Sequence, residues 1–194
     1  MAIDNNNCRE AFGMFDNIKT ESRESVEAFA IAVLAILFIN IFVVQSFAVK
    51  GSSMDPTLQD GERLWVTKFV YKVRPPKIGD IIVLKYPKDP SIKYIKRVIG
   101  VPGDRVNVQN GRLYINGNEI KEPYIKEKMF QDYDFVEVPE QTVFVMGDNR
   151  NCSKDSRDPD VGFVPYDNLV GRAIFVFWPL PKGEVLARPK YPDI

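Results

Sequence analysis

The chain has 194 residues, 45% of them hydrophobic and 27% charged, which suits one packed domain with an appendage and excludes wholesale disorder. Its 26 basic and 26 acidic side chains cancel, so the positive footprint of a nucleic-acid binder is missing and no nucleic-acid partner is expected. There is no histidine and the only cysteines are Cys8 and Cys152, which excludes Ser-His-Asp and Cys-His hydrolases, histidine zinc sites, four-cysteine metal sites and a disulfide framework; no cofactor and no metal are expected.

From Ala28 to Val49 no charged side chain occurs. At ~1.5 Å per residue this run reaches about 33 Å, the thickness of a hydrocarbon core. The expectation is a transmembrane helix over 26–46, preceded by a short segment 1–25 and followed by a domain over 47–194. A cleaved signal peptide fits less well, although Ser46-Phe47-Ala48 has small-x-small spacing. Asp4, Glu10, Asp16, Glu21 and Glu24 outnumber Arg9, Lys19 and Arg23 where a signal peptide would be basic. Lys and Arg are balanced on the two sides of the run, so charge does not orient it.

Beyond Val49 the pattern is short and apolar or alternating. Strands are expected at Arg63–Val70, Asp80–Tyr86, Lys93–Ile99, Arg105–Gln109, Arg112–Ile115, Gln141–Met146 and Val170–Trp178. Asn110-Gly111 and Asn116-Gly117 bracket Arg112–Ile115 as hairpin turns. All 14 prolines fall after residue 55, which disfavours long helices there. The fold class is mainly β, with one N-terminal transmembrane helix and antiparallel sheets. Residues 118–140 are charged and read as an irregular insertion.

Three polar stretches exceed what a β scaffold needs. Gly51-Ser52-Ser53-Met54-Asp55-Pro56 follows the apolar run and presents a hydroxyl on a tight turn; alone it could be a linker. In Lys93–Gly100, period two places Lys96 on one face between Tyr94 and Val98. A lysine desolvated there has its pKa lowered and becomes a usable base, whereas a solvated one would merely protect a sheet edge. Gly147–Arg157 concentrates Asp148, Arg150, Ser153, Asp155 and Arg157, either as a solvated loop or as support for a site. Cys152 has no histidine to activate it.

In this order the stretches GSSMDPTL, YIKRVIGVPGD and MGDNRNCSKDSR, behind an N-terminal apolar run, resemble the type I signal peptidases, membrane-anchored Ser/Lys peptidases. The resemblance implies a signal-peptidase-like β domain with Ser53 as nucleophile and Lys96 as general base. It implies Ser153 orienting the lysine, with Asp148, Asp155, Arg97 and Arg157 in support. It also implies a cytoplasmic segment 1–25, a single pass through the cell membrane, and a catalytic domain outside. The substrates would be preproteins bearing signal peptides with Ala-x-Ala-like ends, bound as an added β-strand. Phe47, Val49, Tyr94 and Ile95 are expected to line the pocket. Phe47, Met54 and Trp65 are expected to rest against the lipid bilayer. Many members carry a Ser two residues before the nucleophile as an oxyanion donor; here that position is Gly51. The alternatives are a related Ser/Lys processing peptidase and a membrane-tethered β domain that only binds partners.

Overall fold

A computed structural model describes residues 26–34, 36, 44–189 and 191. The chain divides into two compact units, Met1–Phe42 and Val43–Ile194. In the first unit residues 26–34 are helical. Among the described residues no helix is long and apolar enough to cross a membrane. The expected cytoplasmic segment 1–25 lies outside the described residues, as do residues 35 and 37–43 of the expected span.

Among the described residues, the second unit is built from twelve strands and very little helix. The first strand, β1, is Val44–Ala48. Its first three residues were expected as the end of the span, so the helix expected over 26–46 does not reach Ser46. An unbroken apolar run carries no mark where helix gives way to strand. Here Val44–Ala48 is captured by β2 (Arg63–Thr67), in the register Phe47↔Leu64. A one-turn helix, α1 (Val70–Val73), replaces the tail of the strand expected to run to Val70.

The remaining strands are β3 (Ile81–Tyr86), β4 (Asp89–Gly100), β5 (Arg105–Gln109), β6 (Arg112–Ile115), β7 (Asn118–Glu119) and β8 (Tyr133–Glu137). They continue with β9 (Thr142–Met146), β10 (Val164–Pro165), β11 (Leu169–Trp178) and β12 (Glu184–Val185). One sheet has the order β1-β2-β11-β3-β4-β9-β10, with β12 on β11; a second has the order β7-β6-β5-β8. Every pairing is antiparallel.

The Ile81-Ile82-Val83-Leu84 run of β3 is buried on both faces. Ile81 and Val83 join a core with Met54, Leu64 and Val176, while Ile82 and Leu84 join another with Val98 and Val145. A third core, with Val106, Leu113 and Phe144, sits under the smaller sheet. Both Asn-Gly turns form as expected. Asn110 (φ 52°) and Gly111 (φ 71°) link β5 to β6, and Asn116 (φ 53°) and Gly117 (φ 84°) link β6 to β7. Two successive positive φ values are the signature of the hairpin turn that matches strand twist.

Residues 118–140, expected as an irregular insertion, are strand at both 118–119 and 133–137. They contribute β7 and β8, and they bury Ile120 and Met129 in the third core. Charged neighbours masked these short strands in the sequence.

Candidate active site

Ser53 and Lys96 are 43 positions apart and meet, with Lys96 Nζ 2.8 Å from Ser53 Oγ. Lys96 lies in β4 opposite Ile82 of β3. Its side chain is only 3% exposed, and its ammonium position is 5.2 Å from the centre of the Tyr94 ring. Burial pulls its pKa down from the usual 10.5 to about 8, against the partly offsetting charges of Asp155 and Asp148. A hydroxyl and an amine whose neutral form becomes accessible near pH 8 can exchange a proton at this distance.

Ser53 is held by its backbone. Its carbonyl accepts the Asn149 N–H at 3.1 Å, and the Asn149 side-chain amide donates to the Ser52 carbonyl at 3.1 Å. The crossing is close at Gly147. A Cβ there would lie 2.4 Å from the Ser53 carbonyl oxygen and 2.3 Å from Ser153 Oγ, so only glycine lets the two segments touch. Among the described residues the Ser53 N–H donates to no acceptor, whereas the Gly51 N–H is taken by Asp60 Oδ1 at 2.6 Å.

The supporting loop is cross-braced by ion pairs. Arg97 and Asp148 are 2% and 1% exposed and make a two-pronged contact, Nε–Oδ1 at 2.8 Å and Nη2–Oδ2 at 2.6 Å. The Thr57 hydroxyl donates to Asp148 Oδ2 at 2.5 Å, and the Arg97 guanidinium stacks 4.0 Å from the Tyr124 ring centre. Asp155 accepts from Arg157 at 2.8 and 2.9 Å and from the Gly147 N–H at 3.0 Å. Ser153 Oγ is buried and has no hydrogen-bond partner among the described residues, so the expected contact to Lys96 is not made.

Sequence reasoning missed Glu122 and Tyr124. Arg150, buried in the loop, donates to Glu122 at 2.5 and 2.7 Å and to the Gly147 carbonyl at 3.0 Å. Glu122 belongs to the segment expected as an irregular insertion. Its one available signal was an excess of carboxylates facing a loop with a surplus arginine.

A cleft of about 250 Å³ holds Ser53 and Lys96 and is lined by all four expected pocket residues, Phe47, Val49, Tyr94 and Ile95. It has two strand edges. Among the described residues, β1 pairs only with β2, and in β4 the residues Lys93–Lys96 pair only with β3, because pairing to β9 begins at Arg97. Met54, expected against lipid, is instead 1% exposed and forms part of the cleft wall; Trp65 is 45% exposed. Among the described residues no group of His, Cys, Asp and Glu could hold a metal ion.

The description "Signal peptidase, peptidase S26" matches residues 22–178. Signal peptidase I of Bacillus licheniformis is 42% identical over 173 residues, spanning 84% of this chain and 92% of the relative. Signal peptidase I P of Bacillus subtilis subsp. natto is 44% identical over 171 residues, 83% of this chain and 91% of the relative. Signal peptidase IB of Staphylococcus aureus (strain MRSA252) is 37% identical over 191 residues, 89% of this chain and 98% of the relative.

Proposed function

This chain belongs to the signal peptidase family, peptidase S26, and is a serine peptidase that cleaves signal peptides; we propose that Ser53 is its nucleophile and Lys96 its general base. The observation that carries the assignment is the 2.8 Å approach of a buried amine, with its pKa lowered to about 8, to a serine hydroxyl in the cleft.

Neutral Lys96 accepts the proton of Ser53 Oγ as the oxygen bonds to the carbonyl carbon of the scissile peptide. The oxyanion that forms is stabilised by backbone N–H groups, with the uncommitted Ser53 N–H supplying one donor. Gly51 offers no side-chain donor, and its own N–H is held by Asp60. The Lys96 ammonium then protonates the leaving amine, and the acyl-serine remains. A water loses its proton to Lys96 and attacks the ester, releasing the acid and restoring Ser53. Asp148 and Asp155, each already bonded to an arginine, hold the loop that carries Ser153 against the dyad.

The substrate enters as an added strand between Phe47–Lys50 and Lys93–Ile95, bonding to the two uncovered edges. Small side chains fit the shallow cleft, which favours Ala-x-Ala-like ends. Phe47, Val49, Tyr94 and Ile95 form its lining. The chain is anchored in the cell membrane by a single pass ending before Val44, with the N-terminus cytoplasmic and the β domain outside. A span over 26–43 reaches about 27 Å, sufficient for a membrane helix. The exposed Trp65 lies beside β1 and rests in the bilayer interface.

The test is acylation by a serine-directed probe, located by peptide mass spectrometry. Label is expected on Ser53 and absent from the Ser53→Ala and Lys96→Ala proteins. Label on Ser52 or Cys152 would move the nucleophile, and none at all would favour a binding module.

A further inference from the structure

Among the described residues, the cleft around the dyad is lined by four lysines, Lys50, Lys93, Lys96 and Lys154, and by no carboxylate. Lys96 is the buried base. Lys154 is balanced by Asp160 at 2.8 Å and Asp158 at 3.8 Å. Lys50 and Lys93 are exposed, and among the described residues neither makes an ion pair with a carboxylate. Lys93 also stands directly opposite Lys85 in the β3–β4 pairing. Like charges opposed across a sheet destabilise it, so stability does not account for this placement. The Lys93 ammonium lies 5.9 Å from the centre of the Phe47 ring, reaching from the β4 edge of the cleft towards the β1 edge. Unbalanced charge of one sign at the mouth of a cleft focuses its field there.

An added strand turns alternate side chains to opposite sides. When two small residues enter the cleft, the residue between them faces the mouth, where Lys50 and Lys93 stand. We propose that these two lysines make the enzyme charge-selective: an acidic residue between the two small ones is favoured and a basic residue there is disfavoured. The inference rests on the strand-like substrate binding given above.

Three peptide substrates identical except for Asp, Gln or Lys at the middle position test it, with kcat/KM measured for the full chain at low salt and in ~1 M NaCl. The Asp peptide is expected to exceed the Lys peptide by about fivefold at low salt, with Gln between. That ratio should fall towards one in high salt and in the Lys50→Gln/Lys93→Gln double variant. A ratio taken within one enzyme cancels any change in its general turnover. Equal kcat/KM for the three peptides, or an unchanged ratio in the double variant, overturns the selectivity and leaves the peptidase reading standing. Failure of the wild type to cleave any of the three overturns that reading, and the selectivity with it.

Discussion

Lys96 and Arg97 are neighbours on β4, both almost removed from water, and the fold treats their charges in opposite ways. Burial works against the charge of Arg97, but the hydrogen bonds and negative charge of Asp148 outweigh it, and its pKa is raised. Burial also works against the charge of Lys96, and there it wins: the two nearby carboxylates only partly offset it. Those carboxylates are occupied, Asp148 by Arg97 and Asp155 by Arg157. A strand that exposes alternate residues to opposite sides thus carries a permanent cation on one face and a switchable amine on the other. In the proposed mechanism the reactivity of Lys96 comes from withholding a carboxylate partner from it.

The contrast breaks most severely at the amine. Lys96→Ala and Lys96→Arg are each expected to lower cleavage of a soluble peptide by about 10³-fold, the scale of a lost general base. Arginine does not rescue, because a guanidinium stays protonated. Initial rates within about tenfold of wild type for either variant would remove the lysine from the mechanism.

On the paired side the expected loss is in stability. Asp148→Ala leaves Arg97 buried without its carboxylate and should cost ~3–5 kcal/mol, read from the urea midpoint. A loss below about 1 kcal/mol would mean that water compensates the guanidinium.

Lys96→Met sharpens the comparison, because it should do the reverse. The folded-state pKa of Lys96 lies below its unfolded value, so between about pH 8 and 10.5 the native state binds fewer protons than the unfolded state. The contribution of this group to stability therefore rises with pH across that window, and the full penalty is present below about pH 8. Lys96→Met removes it, giving a protein more stable at pH 7 by roughly 3 kcal/mol, with the gap closing towards pH 10.5. Activity of the wild type should follow the same group, with kcat/KM rising about tenfold per unit below pH 8 and then levelling. Equal stability of the two proteins at pH 7, or activity falling as the pH rises from 6 to 8, contradicts the assignment.

The smallest effect is at Ser153, whose hydroxyl is buried without a partner. Ser153→Ala should stabilise the fold by ~1 kcal/mol while lowering turnover, since a polar atom kept there at a cost to stability serves the chemistry beside it. Unchanged turnover would reduce Ser153 to packing.

Residue types alone left both Ser53 and Lys96 open, because Gly51–Ser53 also reads as a linker and Lys96 as a solvated edge lysine; the pair became legible only through the order of the three polar stretches and their resemblance to the type I signal peptidases. The Asn-Gly turns were legible because the turn they build demands positive φ. β1 was not, because Val44–Ala48 has the same texture as the apolar run before it, and only pairing with β2 makes it a strand. Glu122 was not, because an ion-pair partner has no periodicity. Its role comes from the fold delivering the 120–132 segment to Arg150. Ser153 shows the opposite failure: the motif is present, but its expected bond to the lysine is not formed.

The clasp of Asn149 on the carbonyls of Ser52 and Ser53 also has a consequence in time. Asn149 follows Ser53 by 96 positions, 149 − 53. At translation rates of ~5–20 residues per second, the serine leaves the ribosome roughly 5–20 s before the segment that seats it. Lys96 arrives in between and cannot be desolvated until β3 and the residues around β4 close over it. A half-made chain therefore holds a serine of ordinary reactivity and a fully charged lysine. In the proposed mechanism hydrolytic power therefore switches on late, once the Asn149 loop and the still later β11, which sits between β2 and β3, are both in place.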